Sequence, residues 1–289
     1  MLSRQGCCSS MYKAHFGLRE LPFGLTPDTS YFFACAAYQG ALNTVLIAAR
    51  SGEGFIKVTG EVGTGKTLLC RKMMASLGDD FYTAYIPNPY LEPRTLMLAL
   101  ADELEVEYER DIDQHNLLRA INLRLLNLAR AGKRVLLCLD EAQALPLESL
   151  EALRLLTNLE TEKRKLLQIV MFGQPELEQK LSLDSIRQLA QRITFDYQLS
   201  PLTCEDMTYY LTHRLHIAGY TGGGLFTPYA LRWLHKASGG IPRLVNILAH
   251  KSLMAAYGEG RQQVGAGQIK VAVEDTSSVK SSLRPWWPW

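Results

Sequence analysis

Between residues 55 and 198 short apolar runs alternate with longer amphipathic ones. The apolar runs are FIKVT (55–59), FYTAYI (81–86), RVLLCLD (134–140), LLQIVMFG (166–173) and ITFDYQL (193–199). Each is short, and several are rich in β-branched or aromatic residues, as buried strands are. Between them the period lengthens. HNLLRAINLRLLNLARAG repeats leucine at three- and four-residue spacing and stops at Gly132. LESLEALRLLTNLETEKRK begins after Pro146 and ends in a basic cluster. Both patterns predict helices. Strands alternating with helices predict an α/β fold, a parallel five-stranded sheet with helices on both faces.

After Pro201 the strand pattern ends. LTCEDMTYYLTHRLHIAG, TPYALRWLHKAS and PRLVNILAHKSLMAAYG predict three helices, with Thr203 and Thr227 as N-caps and Gly219 and Gly258 as stops. A fourth short helix is expected over 266–275. The expected organisation is a disordered lead over 1–10, an α/β domain over 11–200, a small all-α domain over 201–275 and a flexible tail over 276–289. No internal repeat is visible.

Composition narrows the class. The 289 residues are 47% hydrophobic and 21% charged, an ordinary globular balance. A net charge of +2 is too near neutral to point to nucleic acid or an anionic membrane. Cys7, Cys8, Cys35, Cys70, Cys138 and Cys204 form no CxxC or metal spacing. They read as reduced thiols in a cytoplasmic protein. No run reaches the roughly 20 apolar residues of a membrane helix. The first ten residues, MLSRQGCCSS, lack the apolar stretch of a secretory signal, and Met11 opens a more structured segment.

One stretch carries specific chemistry. Gly60, Glu61, Val62, Gly63, Thr64, Gly65, Lys66 and Thr67 fit G-x-x-x-x-G-K-[ST]. Glycines let several backbone N–H groups converge on phosphate oxygens. Lys66 would reach the β- and γ-phosphates of ATP, and the Thr67 hydroxyl would hold Mg²⁺. The helix from about Thr67 to Ser76 aims its positive end at the same anion, and Leu68 extends the binding segment into it. A strand before and a helix after the motif make a non-binding Gly-rich turn the weaker reading.

About 70 residues on, VLLCLDEAQ is an apolar strand ending in Asp140 and Glu141. A carboxylate at the end of a buried strand is costly without a charge to meet. Asp140 would orient the metal through its waters, and Glu141 would polarise the attacking water. The same acids could instead cap the helix after Pro146. With the phosphate loop upstream, the catalytic reading leads. These parts make a Mg-NTP hydrolase.

The segments GEVGTGKT, VLLCLDEAQ, LLQIVMFGQPEL, RQLAQRITFDYQLSPL and GGIPRLVN resemble the AAA+ ATPases of the ExeA/GspA secretion group, and within it the MSHA-type pilus biogenesis members. The opening MYKAHFGLRELPFGLTPDTSYFF is similar to that family's N-terminal stretch, so the resemblance covers about 11–275. The combination of PFGLTPD, DEAQ, GQPEL and GIPR is much more specific than the first two motifs alone.

The resemblance implies further roles. Gln174 is similar to the sensor residue that touches the γ-phosphate or attacking water; its other reading is a turn residue before Pro175. Arg192 resembles the arginine finger that reaches a neighbouring subunit's nucleotide, with Arg187 as the second candidate; either could be a solvated helix arginine. Arg243 in GIPR resembles the lid arginine that meets the γ-phosphate, with Pro242 suited to the first turn. Tyr31, Phe32 and Phe33 would lie near the adenine or be core. The family's His-x-Glu near 38–40 is Tyr38-Gln39-Gly40 here, so no base contact is assigned.

The resemblance also implies an ATP-dependent homo-oligomer, cytoplasmic and held at the inner membrane through a membrane-spanning partner of a pilus or secretion machine. The secretion members continue into a membrane helix and a peptidoglycan-binding region. This chain has neither before Trp289, so that function is not transferred. A DNA-associated AAA+ helper of transposition target selection is the runner-up, and a non-hydrolysing module the third reading. His213 and His216, three apart, lack a third metal ligand. EKRK (162–165) reads as a helix end in water. The Trp-rich tail could meet a membrane, a partner or the lid.

Overall fold

The computed structural model describes residues 12–109, 111–157, 165–277 and 279. The lead over 1–10, residues 162–164 of EKRK and the PWWPW tail lie outside the described residues. The chain divides into two compact units. Among the described residues, one comprises residues 36–62 and 66–199; the other comprises residues 12–35, Gly63–Gly65 and the residues from Ser200 on.

The first unit holds the sheet. Its strands are β1 (Phe55–Gly60), β2 (Phe81–Ile86), β3 (Arg134–Leu139), β4 (Leu167–Gly173) and β5 (Ile193–Leu199). They lie in the order β2-β3-β4-β1-β5 and every pair is parallel. β1 and β4 are buried at every position, which an apolar run without alternation permits when helices cover both faces. The edge strand β5 alternates between half-buried and exposed residues up to Leu199. All five strands fall within a residue or so of their predicted bounds.

Among the described residues the helices that flank them are α1 (Ala36–Ser51), α2 (Lys66–Ser76), α3 (Pro93–Glu103), α4 (Gln114–Arg130), α5 (Leu147–Leu156), α6 (Glu176–Leu181) and α7 (Arg187–Ala190). In α4 the Asp113 side chain accepts from the Asn116 amide, and Leu117, Ile121, Leu125 and Leu128 turn one stripe into the core. That stripe meets the core formed with Leu100, Leu137 and Ile169. The helix expected over LESLEALRLLTNLETEKRK is helical from Leu147 to Leu156. Thr157 is its C-cap, its hydroxyl donating to the Arg154 carbonyl. Residues 158–164 lie outside the described residues.

All five strands run the same way, so their carboxyl ends share one edge. β1 ends in the phosphate loop, β3 in Asp140 and β4 in Gln174. Because β4 lies between β1 and β3, the three ends adjoin, as ligand-binding edges of open α/β sheets do.

The second unit contains α8 (Cys204–Ile217), α9 (Pro228–Ser238), α10 (Pro242–Gly258) and α11 (Ala266–Glu274). Thr203 and Thr227 cap α8 and α9 through the Asp206 and Ala230 amides. Gly219 is left-handed at φ +89°, but after α10 that conformation falls on Gly260 (φ +66°) rather than on Gly258.

Residues 12–35, expected at the front of the α/β domain, group with these helices. Arg214 of α8 explains why. Buried among apolar neighbours, it donates from Nε to the Pro22 carbonyl (2.6 Å) and from Nη2 to the Gly24 carbonyl (3.3 Å). Its guanidinium lies 4.4 Å from the centre of the Tyr31 ring. The Tyr12 hydroxyl lies 2.9 Å from His250 Nδ1, and the Arg19 amide donates to the Ala218 carbonyl (2.8 Å). Tyr31 is a core residue of this unit, and Phe33, half-buried, packs on Tyr210 and His213. His216 is exposed, and among the described residues no three His, Cys, Asp or Glu side chains gather as metal ligands.

Replacing Arg214 by Ala removes charge-assisted bonds to two backbone carbonyls and is expected to cost about 2–3 kcal/mol. The loss should appear as a lower melting temperature and as new protease cleavage or faster amide exchange within residues 18–31.

Candidate active site

β1 delivers the chain to the loop, and α2 begins at Lys66. Gly63 and Gly65 have φ of +83° and +90°, values that a side chain would strain. The loop therefore turns back on itself and presents the unbonded first-turn amides of α2. Lys66 is only 5% exposed. Its Nζ donates to the Gly60 carbonyl (2.7 Å) and the Glu61 carbonyl (2.9 Å). Burial lowers its pKa, opposed by the carboxylates of Glu141, Asp140, Glu61 and Glu176.

Asp140 follows β3 and is 2% exposed. Burial raises its pKa; hydrogen bonds from the Thr67 hydroxyl and the Glu141 amide (3.0 Å) oppose that rise. The Tyr85 hydroxyl donates to Asp140 Oδ2 at 3.3 Å, and the Tyr85 pKa is itself pushed up to about 12, by burial and then by Asp140. Thr67 and Asp140 thus bring two oxygen ligands together beside the lysine.

Glu141 sits at φ +55°, ψ +38°, the left-handed region, without being glycine. Such a residue costs on the order of 1–3 kcal/mol and persists where its surroundings hold it. Here the hold is visible. Glu141 Oε2 accepts from Gln143 Nε2 (2.6 Å) and from Gln174 Nε2 (3.0 Å). The Gln174 amide in turn donates to Gln143 Oε1 (3.0 Å). Gly173 makes room for this: a Cβ there would lie 2.7 Å from Leu177 Cδ2 and 3.5 Å from Gln143 Oε1. The residue pointed out by DEAQ but given no role from sequence is Gln143. Its spacing, two after Glu141, was the available signal.

The structure therefore brings Lys66, Thr67, Asp140, Glu141 and Gln174 together at one edge of the sheet. The arginines are placed differently. Arg192 is half-buried, and its Nη1 donates to the Arg154 carbonyl and the Thr157 hydroxyl, both at 3.2 Å, at the C-terminal end of α5. That is a helix-capping position on its own unit. Arg187 is exposed, opens α7, and lines an open cleft of about 450 Å³ with Leu181, Asp184 and Gln191. Arg243 is exposed in the first turn of α10 after Pro242, and its amide donates to the Gly63 carbonyl (3.1 Å) within the same unit.

The donor set fits Mg²⁺ and a nucleotide phosphate. Mg²⁺ in such sites takes one or two protein oxygens and leaves its other positions to water and phosphate. The Thr67–Asp140 pair is of that kind. The buried Lys66 ammonium, met by loop carbonyls, is the cation that a polyphosphate would face.

Residues 49–181 match a family model described as AAA domain. The chain is 43% identical over 270 residues to General secretion pathway protein A of Aeromonas hydrophila, covering 93% of this chain and 49% of that protein. It thus spans about half the length of this curated relative. Among solved structures it is similar to Cdc6p of Pyrobaculum aerophilum, with a TM-score of 0.66 at 19% identity over 86% of this chain and 71% of that one. It is also similar to the ORC2 protein of Aeropyrum pernix in ADPNP–ADP complexes, with a TM-score of 0.60 at 18% identity over 83% and 67%. At those identities the structures speak for the fold alone. The chain has the AAA-type P-loop fold, a parallel five-stranded sheet followed by helices. Among the described residues no helix is long and apolar enough to cross a membrane.

The Asp140 shift has a sign that can be tested. A folded carboxyl held above its ordinary pKa costs stability wherever it is ionised, and the cost vanishes below the unfolded value near 3.9. Asp140→Asn should therefore melt above the wild type at pH 7 without nucleotide. That advantage should shrink as the pH falls towards 4, and melting curves across pH check it.

Proposed function

We propose that this chain is a Mg²⁺-dependent ATP hydrolase of the AAA+ type that assembles with copies of itself. The observation that carries the reading is the strained Glu141 carboxylate, gripped by Gln143 and Gln174 beside Asp140, Thr67 and the buried Lys66. Bound Mg²⁺ would supply charge neutralisation to the phosphates as the terminal bond breaks. The chain's own residues do the rest. Lys66 offers its ammonium to the β- and γ-phosphates. Thr67 would hold the metal through its hydroxyl, and Asp140 would orient it through its waters. The two glutamine amides keep Glu141 oriented to accept a proton from attacking water. Gln174, bonded to Glu141, is in reach of the same water, in keeping with the sensor role.

Exposure favours Arg187 over Arg192 as the residue offered to a second subunit, since Arg192 is engaged on Arg154 and Thr157. Arg243 keeps the lid role. The 43% identity to a general secretion pathway protein supports work in type II secretion or MSHA-type pilus assembly. It favours that role over a DNA-associated one. In this reading the chain acts at the cytoplasmic face of the inner membrane through a membrane-spanning partner.

Two outcomes are expected. Lys66→Ala should lose nucleotide binding by direct titration. Glu141→Gln should bind Mg-ATP, turn over at least 100-fold more slowly, and assemble when Mg-ATP is added, read by light scattering. Wild-type specific activity should rise with protein concentration. Concentration-independent activity of a monomer would refute the shared-site reading.

For the arginines, Arg187→Ala should lose turnover with binding intact. Arg192→Ala should lower the melting temperature more than it lowers turnover. The reverse pattern would return the finger role to Arg192.

A further inference from the structure

Lys57 stands in the middle of β1, a strand buried at every position, and its side chain is 9% exposed. A lysine so placed needs partners. Its Nζ lies 2.9 Å from Asp196 Oδ2 on β5 and 3.3 Å from Glu178 Oε1 on α6. Two residues on, facing the same side of the strand, the Thr59 hydroxyl donates to the same Glu178 oxygen at 3.0 Å. Both carboxylates are about half exposed, at 47% and 54%. The group is therefore wet on one side and locked to the sheet on the other.

What this arrangement connects matters more than what it contributes to stability. Thr59 is the residue before Gly60, where the phosphate loop begins. Glu178 is four residues after Gln174, in a turn that starts at Gln174 itself: the Leu177 amide donates to the Gln174 carbonyl (2.9 Å) and the Glu178 amide to Pro175 (3.0 Å). Ladder pairing of β1 with β4 reaches Thr59 and Gly173 and stops there. Beyond Gly173, Glu178 carries a second tie from this turn back to β1.

We propose that Glu178, held by Lys57 and Thr59, is a positioning residue for hydrolysis. It sets the Gln174 amide, and through it the Glu141 carboxylate, against the start of the phosphate loop. The inference rests on the hydrolase reading above. Asp196 satisfies the same lysine from the neighbouring edge strand β5 rather than from α6, so it serves as the internal control.

The test is single-turnover ATP hydrolysis and nucleotide affinity for the full chain as wild type, Glu178→Gln, Asp196→Asn, Gln174→Ala and the Glu178→Gln/Gln174→Ala double variant, with melting temperatures alongside. Glu178→Gln should hydrolyse about tenfold more slowly with nucleotide Kd within twofold of wild type, because misplacement taxes the reacting geometry rather than binding. Asp196→Asn should hydrolyse like wild type despite removing an equal charge from Lys57. The double variant should be no slower than Gln174→Ala alone, since the two residues act in one chain of contacts.

A Glu178→Gln protein as fast as wild type would overturn the proposal. So would an Asp196→Asn protein slowed equally, or losses that multiply in the double variant. A wild type that binds ATP without hydrolysing it would refute the hydrolase reading itself, and the proposal with it.

Discussion

Lys66 and Asp140 are side chains of opposite sign, both nearly sealed from water at the carboxyl edge of one sheet. Burial works against the charge of each, lowering the lysine pKa and raising that of the aspartate. Such a pair is tolerable only if donors and acceptors are supplied from fixed positions, and the parallel sheet supplies them. Because β1, β3 and β4 end together, the carbonyls of Gly60 and Glu61 meet the ammonium, while the Thr67 hydroxyl and Glu141 amide meet the carboxylate. Apolar side chains are buried on both faces of those strands, Leu137 and Ile169 on one and Leu136 and Val170 on the other. The interior thus accepts a cost that an enzyme of phosphate chemistry can use, since a desolvated cation and a desolvated anion interact strongly with whatever charge enters.

Strain is handled the same way. Left-handed backbone at Glu141 turns the chain sharply after Asp140, so that two adjacent acids face different neighbours. Asp140 looks to Thr67 and Tyr85, Glu141 to Gln143 and Gln174. Without that turn, successive residues leaving a strand would simply alternate faces. The two amides on one carboxylate oxygen both orient Glu141 and offset the backbone cost.

Much of this was legible in the sequence because it is local. Five apolar runs became five strands, since a strand buried on both faces must read as an unbroken apolar run. GEVGTGKT named its own turn through glycines and its own charge through Lys66. The caps at Thr203 and Thr227 needed only three residues of context. What was not legible depends on chain separated by long stretches of sequence. Arg214 binds carbonyls at Pro22 and Gly24, about 190 residues away, and so residues 12–35 go with the helices rather than with the α/β domain expected for them. In sequence Arg192 resembles an arginine finger, with a solvated helix arginine as the other reading, yet its partners are a carbonyl and a hydroxyl at the end of a helix. Gln143 lay inside a motif already quoted, and only the fold shows that it bonds to both Glu141 and Gln174.

Lys57 marks where sequence and structure meet. In FIKVT a charged residue interrupts an apolar run, and from sequence alone that interruption carries a definite physical demand: inside a parallel sheet a lysine must find carboxylates. The demand is readable, but its answer is not. The partners lie 121 and 139 residues further on, one after Gln174 and one on the edge strand. An apolar residue at 57 would pack as well and spare the desolvation. A lysine there makes sense where a strand must grip a neighbouring helix in one orientation, because an ion pair reinforced by the Thr59 hydroxyl has a direction that apolar contact lacks. The direction it specifies runs from the start of the phosphate loop to the turn that carries Gln174.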